Sequence, residues 1–215
     1  MNEVNLISYS KVDNMDLPTC LDLVAYCARV SNPANQFNKE TNSKLVKYLI
    51  DNKHWSPLEM VSVCMEIKTT RDIARQILRH RSFSFQEFSQ RYADPTDLGF
   101  TLRDARLQDK KNRQNSIKTD NCKLQYEWER RQRRVIRAAQ ESYAWAIENG
   151  IAKEQARCVL PEGNTVSVMY VNGTLRSWIH YIDLRESNGT QLEHMDIAKE
   201  VAKAIYEIFP LNREK

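Results

Sequence analysis

The chain has 215 residues, 41% hydrophobic and 28% charged, so it can hold a substantial core and reads as one domain spanning 1–215. Five Gly and six Pro are too few for a disordered chain or a turn-rich all-β fold. A net charge of +4 is mild for a nucleic-acid binder, yet the cations crowd into 71–91 and 103–137, which favours a local anion site.

The first sixteen residues, "MNEVNLISYSKVDNMD", lack a charged stretch followed by an apolar one, so no leader is expected. Within them 3–9 predicts a short strand. Residues 18–30 open with Pro and carry Leu21, Val24, Ala25 and Ala28 at helical spacing. A loop, "SNPANQFN", precedes a second helical pattern over 41–52. Residues 60–68, "MVSVCMEIK", alternate Val61, Val63, Met65 and Ile67 against Ser62, Cys64, Glu66 and Lys68, a half-buried strand. A helix over 70–80 follows. Residues 94–122 are polar and aperiodic; a structureless stretch of this length is functional or disordered. A long helix over 124–148 carries Tyr126, Ile136, Ala139, Tyr143 and Ile147 as its apolar stripe and stops at Gly150. Residues 165–171 alternate as a strand. Helices are expected over 172–184 and 193–208, the latter with Ile197, Val201, Ala204, Ile205 and Ile208 facing the core.

Nothing is long and apolar enough to span a membrane. The five cysteines, Cys20, Cys27, Cys64, Cys122 and Cys158, are odd in number and show no C-x-x-C pair, which points to reduced thiols in the cytoplasm. Cys64 and Cys158 have no identifiable histidine partner and read as structural.

On the 70–80 helix, Arg71, Arg75 and Arg79 stack four apart, with Ile73 and Ile77 roughly opposite. Each stacked like-charge pair costs about 0.2–0.5 kcal/mol, so the row needs a compensating anion: a ligand, or carboxylates elsewhere in the chain. Arg79-His80-Arg81 ends the helix. Ser, Gln and Arg91 follow, with Glu87 set among cations, where it either orients an arginine or accepts from a ligand. Arginine forks plus one carboxylate suit a nucleotide. Phe83 and Phe85 alternate as packing. Arg157 precedes "CVLP", and Arg176, His180 and Arg185 lie within "LRSWIHYIDLR".

Arg79-His80-Arg81, seven residues, then Ser89 resembles the RHR-x7-S signature of the flavin-dependent thymidylate synthases, the ThyX family. "KHWSPLEM", "ARCVLP" and "LRSWIHYIDLR" with "TQLEH" resemble further elements of that family, in its order, from 54 to about 194. The resemblance implies an α+β, ThyX-like fold, a central β-sheet flanked by long helices, assembled as a homotetramer with active sites shared between subunits. It implies reductive methylation of dUMP to dTMP, with tightly bound FAD, NADPH as reductant and methylenetetrahydrofolate as carbon donor. The FAD contacts it implies are Ser56, Arg79, His80, Arg81, Glu87, Asn172, Arg176 and His180. Its dUMP contacts are Gln76, Arg79, Glu87, Ser89, Gln90, Arg91, Arg157 and Arg185, with His54 on the folate and nicotinamide side. Arg185 would be catalytic, favouring the ionised pyrimidine ring. Ser89 is read as a ligand contact, since no adjacent base activates it. Gly189 stands where some members carry a histidine.

Two rivals are weaker. A nucleic-acid binder would use 71–91 and Arg130–Arg137, but Glu127 and Glu129 sit among the latter. A metallohydrolase using His54, Glu59, His80 and His180 lacks a ligand motif, and no metal is expected.

Overall fold

The computed structural model describes residues 2–12 and 16–211. Part of the stretch read for a leader, Met1 and 13–15, therefore lies outside the described residues.

A four-stranded antiparallel sheet organises the chain. Its strands are β1 (Glu3–Tyr9), β2 (Ser62–Thr70), β3 (Ser84–Glu87) and β6 (Val166–Thr174), in spatial order β1-β2-β6-β3. The alternation of β2 sets the layers. Val63, Met65 and Ile67 face inward and pair across with Gly173, Val171 and Met169 of β6. Each fully buried aliphatic side chain here contributes roughly 1.5–3 kcal/mol. Cys64, Glu66 and Lys68 face the other way, where Tyr170 donates its hydroxyl to Glu66 at 2.8 Å.

Helices α1 (Cys20–Ala28), α2 (Asn42–Asp51), α3 (Arg71–Ile77), α6 (Leu175–Arg185) and α7 (Leu192–Ile208) contribute most of the remaining core side chains. Helix α1 starts at a reciprocal cap between Thr19 and Asp22, two residues after the expected Pro18. The expected helix over 172–184 is corrected. Residues 172–174 extend β6, and α6 begins where the Thr174 hydroxyl accepts from the Ser177 N–H. Trp178 is fully buried and donates from Nε1 to the Val63 carbonyl at 3.0 Å.

The 94–122 stretch is not structureless. It holds a turn over Pro95–Leu98 and a small hairpin of β4 (Arg106–Gln108) and β5 (Ser116–Lys118). One backbone bridge, Phe100 with Thr165, ties it to the start of β6, and side chains hold the rest, which is why no periodicity marked it. Gln132 accepts from the Arg103 N–H at 2.9 Å and donates to the Arg103 carbonyl at 2.8 Å. Gln125, one heptad earlier, clamps Ala105 in the same way at 2.7 and 3.0 Å.

Both glutamines belong to α4 (Cys122–Glu148), which Gly150 ends at φ +75°. The expected stripe is only partly buried. Tyr143 packs with Ala146, Ala156 of α5 (Lys153–Ala156) and Leu160, and Ala139 is buried, whereas Tyr126 and Ile147 are exposed. Trp145, Ile151 and Val159 line an apolar groove of about 630 Å³ beside them. The arginines of α4 pair locally, Arg130 and Arg131 with Glu127 and Arg133 with Glu129, as expected of a solvated charged face.

Candidate active site

Helix α3 follows β2 without a loop. Ile73, Ala74 and Ile77 anchor it in the core, which turns Arg71, Arg75 and Arg79 outward. The row meets its compensating anions unevenly. Arg71 pairs with Glu87 Oε1 at 3.2 Å, and Ser167 donates to the same oxygen at 2.8 Å. Arg75 pairs with Glu162 at 2.6 Å. For these two the compensating charge is the chain's own. Of the roles left open for Glu87, orienting an arginine is the one it fills here. Among the described residues, Arg79, Arg81, Arg157 and Arg185 form no ion pair.

The helix ends at Ile77 rather than at 80, and 78–83 form a turn. His80 donates its backbone N–H to Ile77, and Phe83 donates its own to His80. Phe83 is buried against Trp178, with ring centroids 4.5 Å apart. It needs a glycine opposite: a Cβ at Gly173 would lie 2.3 Å from the Phe83 ring. The phenylalanine is packing, as its alternation implied.

Arg185, in the last turn of α6, donates from Nε to His80 Nε2 at 2.9 Å. A guanidinium only donates, so His80 is neutral, with its proton on Nδ1. Burial, with the charges of Arg185 and Arg79, lowers its pKa to about 4. Burial also lowers the pKa of Arg185, whose charge is poorly solvated. Arg185 and Arg79 thus bring positive charge to a neutral imidazole, and neither forms an ion pair among the described residues.

The residues read for the flavin side gather near this end. Trp55 packs edge-on to His180 at 4.4 Å, and Arg176 pairs with Glu59 in the turn Ser56–Met60. Ser56 opens that turn, and the His54 ring lies 6.0 Å from Tyr48. Asn172 is exposed on β6, in register with Ser84 and Cys64.

Ser89, Gln90, Arg91 and Arg157 lie at the other end of β3. The Ser89 hydroxyl accepts from the Arg91 N–H at 3.3 Å. Arg91 meets Glu154 at 3.5 Å. Gln90 is 5% exposed, and its Nε2 has no partner among the described residues. It lines a cavity of about 380 Å³ with Arg71, Arg75, Arg157 and Glu162. A buried orphan donor among arginines fits a ligand oxygen. The four residues of β3 span roughly 10 Å. The expected dUMP contacts thus fall in two groups, Gln76, Arg79 and Arg185 toward one end of β3 and Gln90, Arg91 and Arg157 toward the other. Cys158 is exposed at this second cavity, not buried as a structural thiol would be.

Sequence reasoning missed a polar chain behind Gln76, formed by buried Tyr181 and His194 with part-buried Gln191, Glu193 and Arg106. One signal was present. His194 falls on the α7 stripe of Ile197, Ala198, Val201, Ile205 and Ile208, which places an imidazole in the core. The Arg176–Glu59 pair, 117 residues apart, left no local trace.

An antiparallel sheet backed by helices, with an arginine-lined cavity of about 380 Å³ at one end of β3 and Arg79 and Arg185 about His80 at the other, defines an α+β protein whose site suits an anionic ligand. Residues 12–211 match the family described as thymidylate synthase complementing protein. The chain is 49% identical over 205 residues to a probable flavin-dependent thymidylate synthase of Paramecium bursaria Chlorella virus 1, covering 95% of this chain and 94% of that one. It is 47% identical over 188 residues to the flavin-dependent thymidylate synthase of Synechocystis, covering 87% and 85%. Its fold is similar to the crystal structure of a UMP/dUMP methylase, PolB from Streptomyces cacaoi bound with 5-Br dUMP, with TM-score 0.83 and 26% identity over 98% of this chain and 92% of that one. The chain belongs to the flavin-dependent thymidylate synthase family.

Proposed function

We propose that this chain is a flavin-dependent thymidylate synthase acting as one catalytic domain, converting dUMP to dTMP with methylenetetrahydrofolate as carbon donor. FAD, reduced by NADPH, supplies the reducing equivalents when bound. The observation that carries the reading is Arg185 and Arg79 against neutral His80, with no ion pair to either arginine among the described residues, in a chain of this family. The donor set fits a flavin dinucleotide. Arg79, Arg81, Arg176 and His180 would hold its phosphates and ring edge, with Ser56, Asn172, Glu87 and His54 around it.

Arg185 favours negative charge on the pyrimidine, which makes C5 of uracil nucleophilic. Its Nε is fixed by His80, which leaves its terminal nitrogens to meet a ligand. Gln90, Arg91 and Arg157, with Ser89, would bind the 5′-phosphate. Because these groups stand at opposite ends of β3, a site built from two copies of the chain brings them onto one nucleotide. The exposed Trp145, Ile151 and Val159 supply apolar surface for such a homotetramer.

The test is direct. The purified protein is expected to be yellow and to form dTMP from dUMP, methylenetetrahydrofolate and NADPH. A colourless protein that takes up no added FAD overturns the reading. Running UMP beside dUMP separates the thymidylate reaction from the broader substrate range named for PolB.

A further inference from the structure

His194 is wholly enclosed, at 0% exposed, and the reaction outlined above gives it no part. Its ring joins a single file of hydrogen bonds. Nε2 lies 3.1 Å from the Tyr181 hydroxyl, and Nδ1 lies 3.2 Å from Gln76 Oε1. Gln76 Nε2 donates to Gln191 Oε1 at 2.8 Å, and Gln191 Nε2 donates to Glu193 Oε2 at 3.1 Å. Arg106, from the hairpin, closes the file at 2.8 Å from the Glu193 carboxylate.

Amides and imidazoles can reverse, so such a file has two possible directions. Glu193 removes one of them. Held by Arg106, it is a carboxylate, and a carboxylate only accepts. Gln191 must turn its NH₂ toward it. Gln191 Oε1 then accepts from Gln76, and Gln76 Oε1 must accept from a protonated Nδ1. His194 Nε2 is left bare, to accept from the Tyr181 hydroxyl. The reversed file would set Gln191 Oε1 against Glu193 Oε2, two acceptors facing each other in a part-buried site. The environment agrees. Burial and the charges of Arg185 and His80 lower the His194 pKa to about 3, so the ring is neutral, and burial raises that of Tyr181, so its hydroxyl keeps its proton.

We propose that His194 is a positioning residue, locked by the Glu193–Arg106 pair as its Nδ1–H tautomer, and that it fixes the Gln76 amide so that its second N–H is offered to an acceptor oxygen of the bound nucleotide. The substrate half rests on the reading of Gln76 as a dUMP contact. The 94–122 segment thereby acts on the site at a distance: Arg106 sets the direction of a hydrogen bond that begins in the hairpin and ends at Gln76.

The experiment is ¹⁵N NMR of histidine-labelled full-length protein, assigned by loss of the His194→Asn signal, combined with steady-state kinetics. The wild-type protein should show a protonated Nδ1 and a bare Nε2 at pH 7. A protonated Nε2, or an imidazolium, overturns the proposal without reference to substrate. Tyr181→Phe should keep the Nδ1–H tautomer, because the demand comes from the carboxylate side. In Glu193→Gln the file can run either way, so mixed tautomers are expected. With them KM for dUMP should rise three- to tenfold, about one hydrogen bond, with kcat changed less than KM. An unchanged tautomer in Glu193→Gln overturns the role of the carboxylate. Mixed tautomers with an unmoved KM overturn the contact between Gln76 and the nucleotide. If Glu193→Gln fails to fold, the wild-type spectrum still decides the tautomer.

Discussion

The two ends of the α3 arginine row carry the same side chain in opposite circumstances. At the N-terminal end Arg71 and Arg75 find Glu87 and Glu162, and Arg71 is largely buried, at 12% side-chain exposure. At the C-terminal end Arg79 adjoins Arg81, Arg185 and a neutral His80, with no ion pair to these arginines among the described residues. Stacked arginines thus have no fixed meaning. A carboxylate supplied by the chain makes one structural, and its absence leaves another for a ligand.

The sharpest break in this comparison is Arg185→Ala. It should reduce dTMP formation by about 10³-fold, while thermal melting shifts by no more than about 3 °C, since no internal ion pair is lost. Near-normal turnover would falsify the assignment of pyrimidine activation to Arg185. At the opposite end, Glu87→Gln should act first on the fold. It leaves largely buried Arg71 uncompensated, at a cost of about 3 kcal/mol read from urea unfolding. A loss below about 1 kcal/mol would mean that Arg71 finds another partner.

Gly173→Ala tests the turn between the two ends. Pushing Phe83 out of its slot should cost about 1–3 kcal/mol and weaken flavin retention, measured as FAD released on dilution. An unchanged FAD affinity would show that the Arg79–Arg81 turn does not depend on that ring.

Acid should expose the same asymmetry. His80 and His194, faced by Arg185, Arg79 and each other, have folded pKa values of about 4 and about 3, below the ordinary 6.5. Above pH 6.5 both are neutral whether folded or unfolded, and their contribution to stability is complete. As pH falls from 6.5 toward 4 and 3 the unfolded chain binds protons that the folded chain refuses, so stability declines across that window. His80→Gln should flatten the upper part of the decline in a pH series of melting temperatures. The smallest effect belongs to Arg75→Ala, whose exposed pair with Glu162 should be worth under about 1 kcal/mol in the same unfolding assay.

Much of this was legible in one dimension. The alternation of Val63, Met65 and Ile67 gave β2, and the α7 stripe came from spacing alone. The order of the motifs from His54 to His194 pointed to the family. Residues 172–174 were misread because "NGT" is polar and short, while its strand character comes from pairing with β2 and β3. The hairpin segment stayed invisible because its anchors, Gln125 and Gln132, are side chains of a distant helix. Of the expected site residues, Arg79, His80 and Arg185 converge, whereas Gln90, Arg91 and Arg157 converge elsewhere.

The sequence by itself determined the periodic elements, the outward arginine row and the signature around Arg79-His80-Arg81, because these depend on neighbours within a few residues. Tertiary structure decided which arginine is neutralised, since Glu162 lies 87 residues from Arg75 and Glu59 lies 117 from Arg176. It also decided the direction of the hydrogen bonds through His194, because a part-buried carboxylate constrains every donor in line with it and is brought there only by the fold.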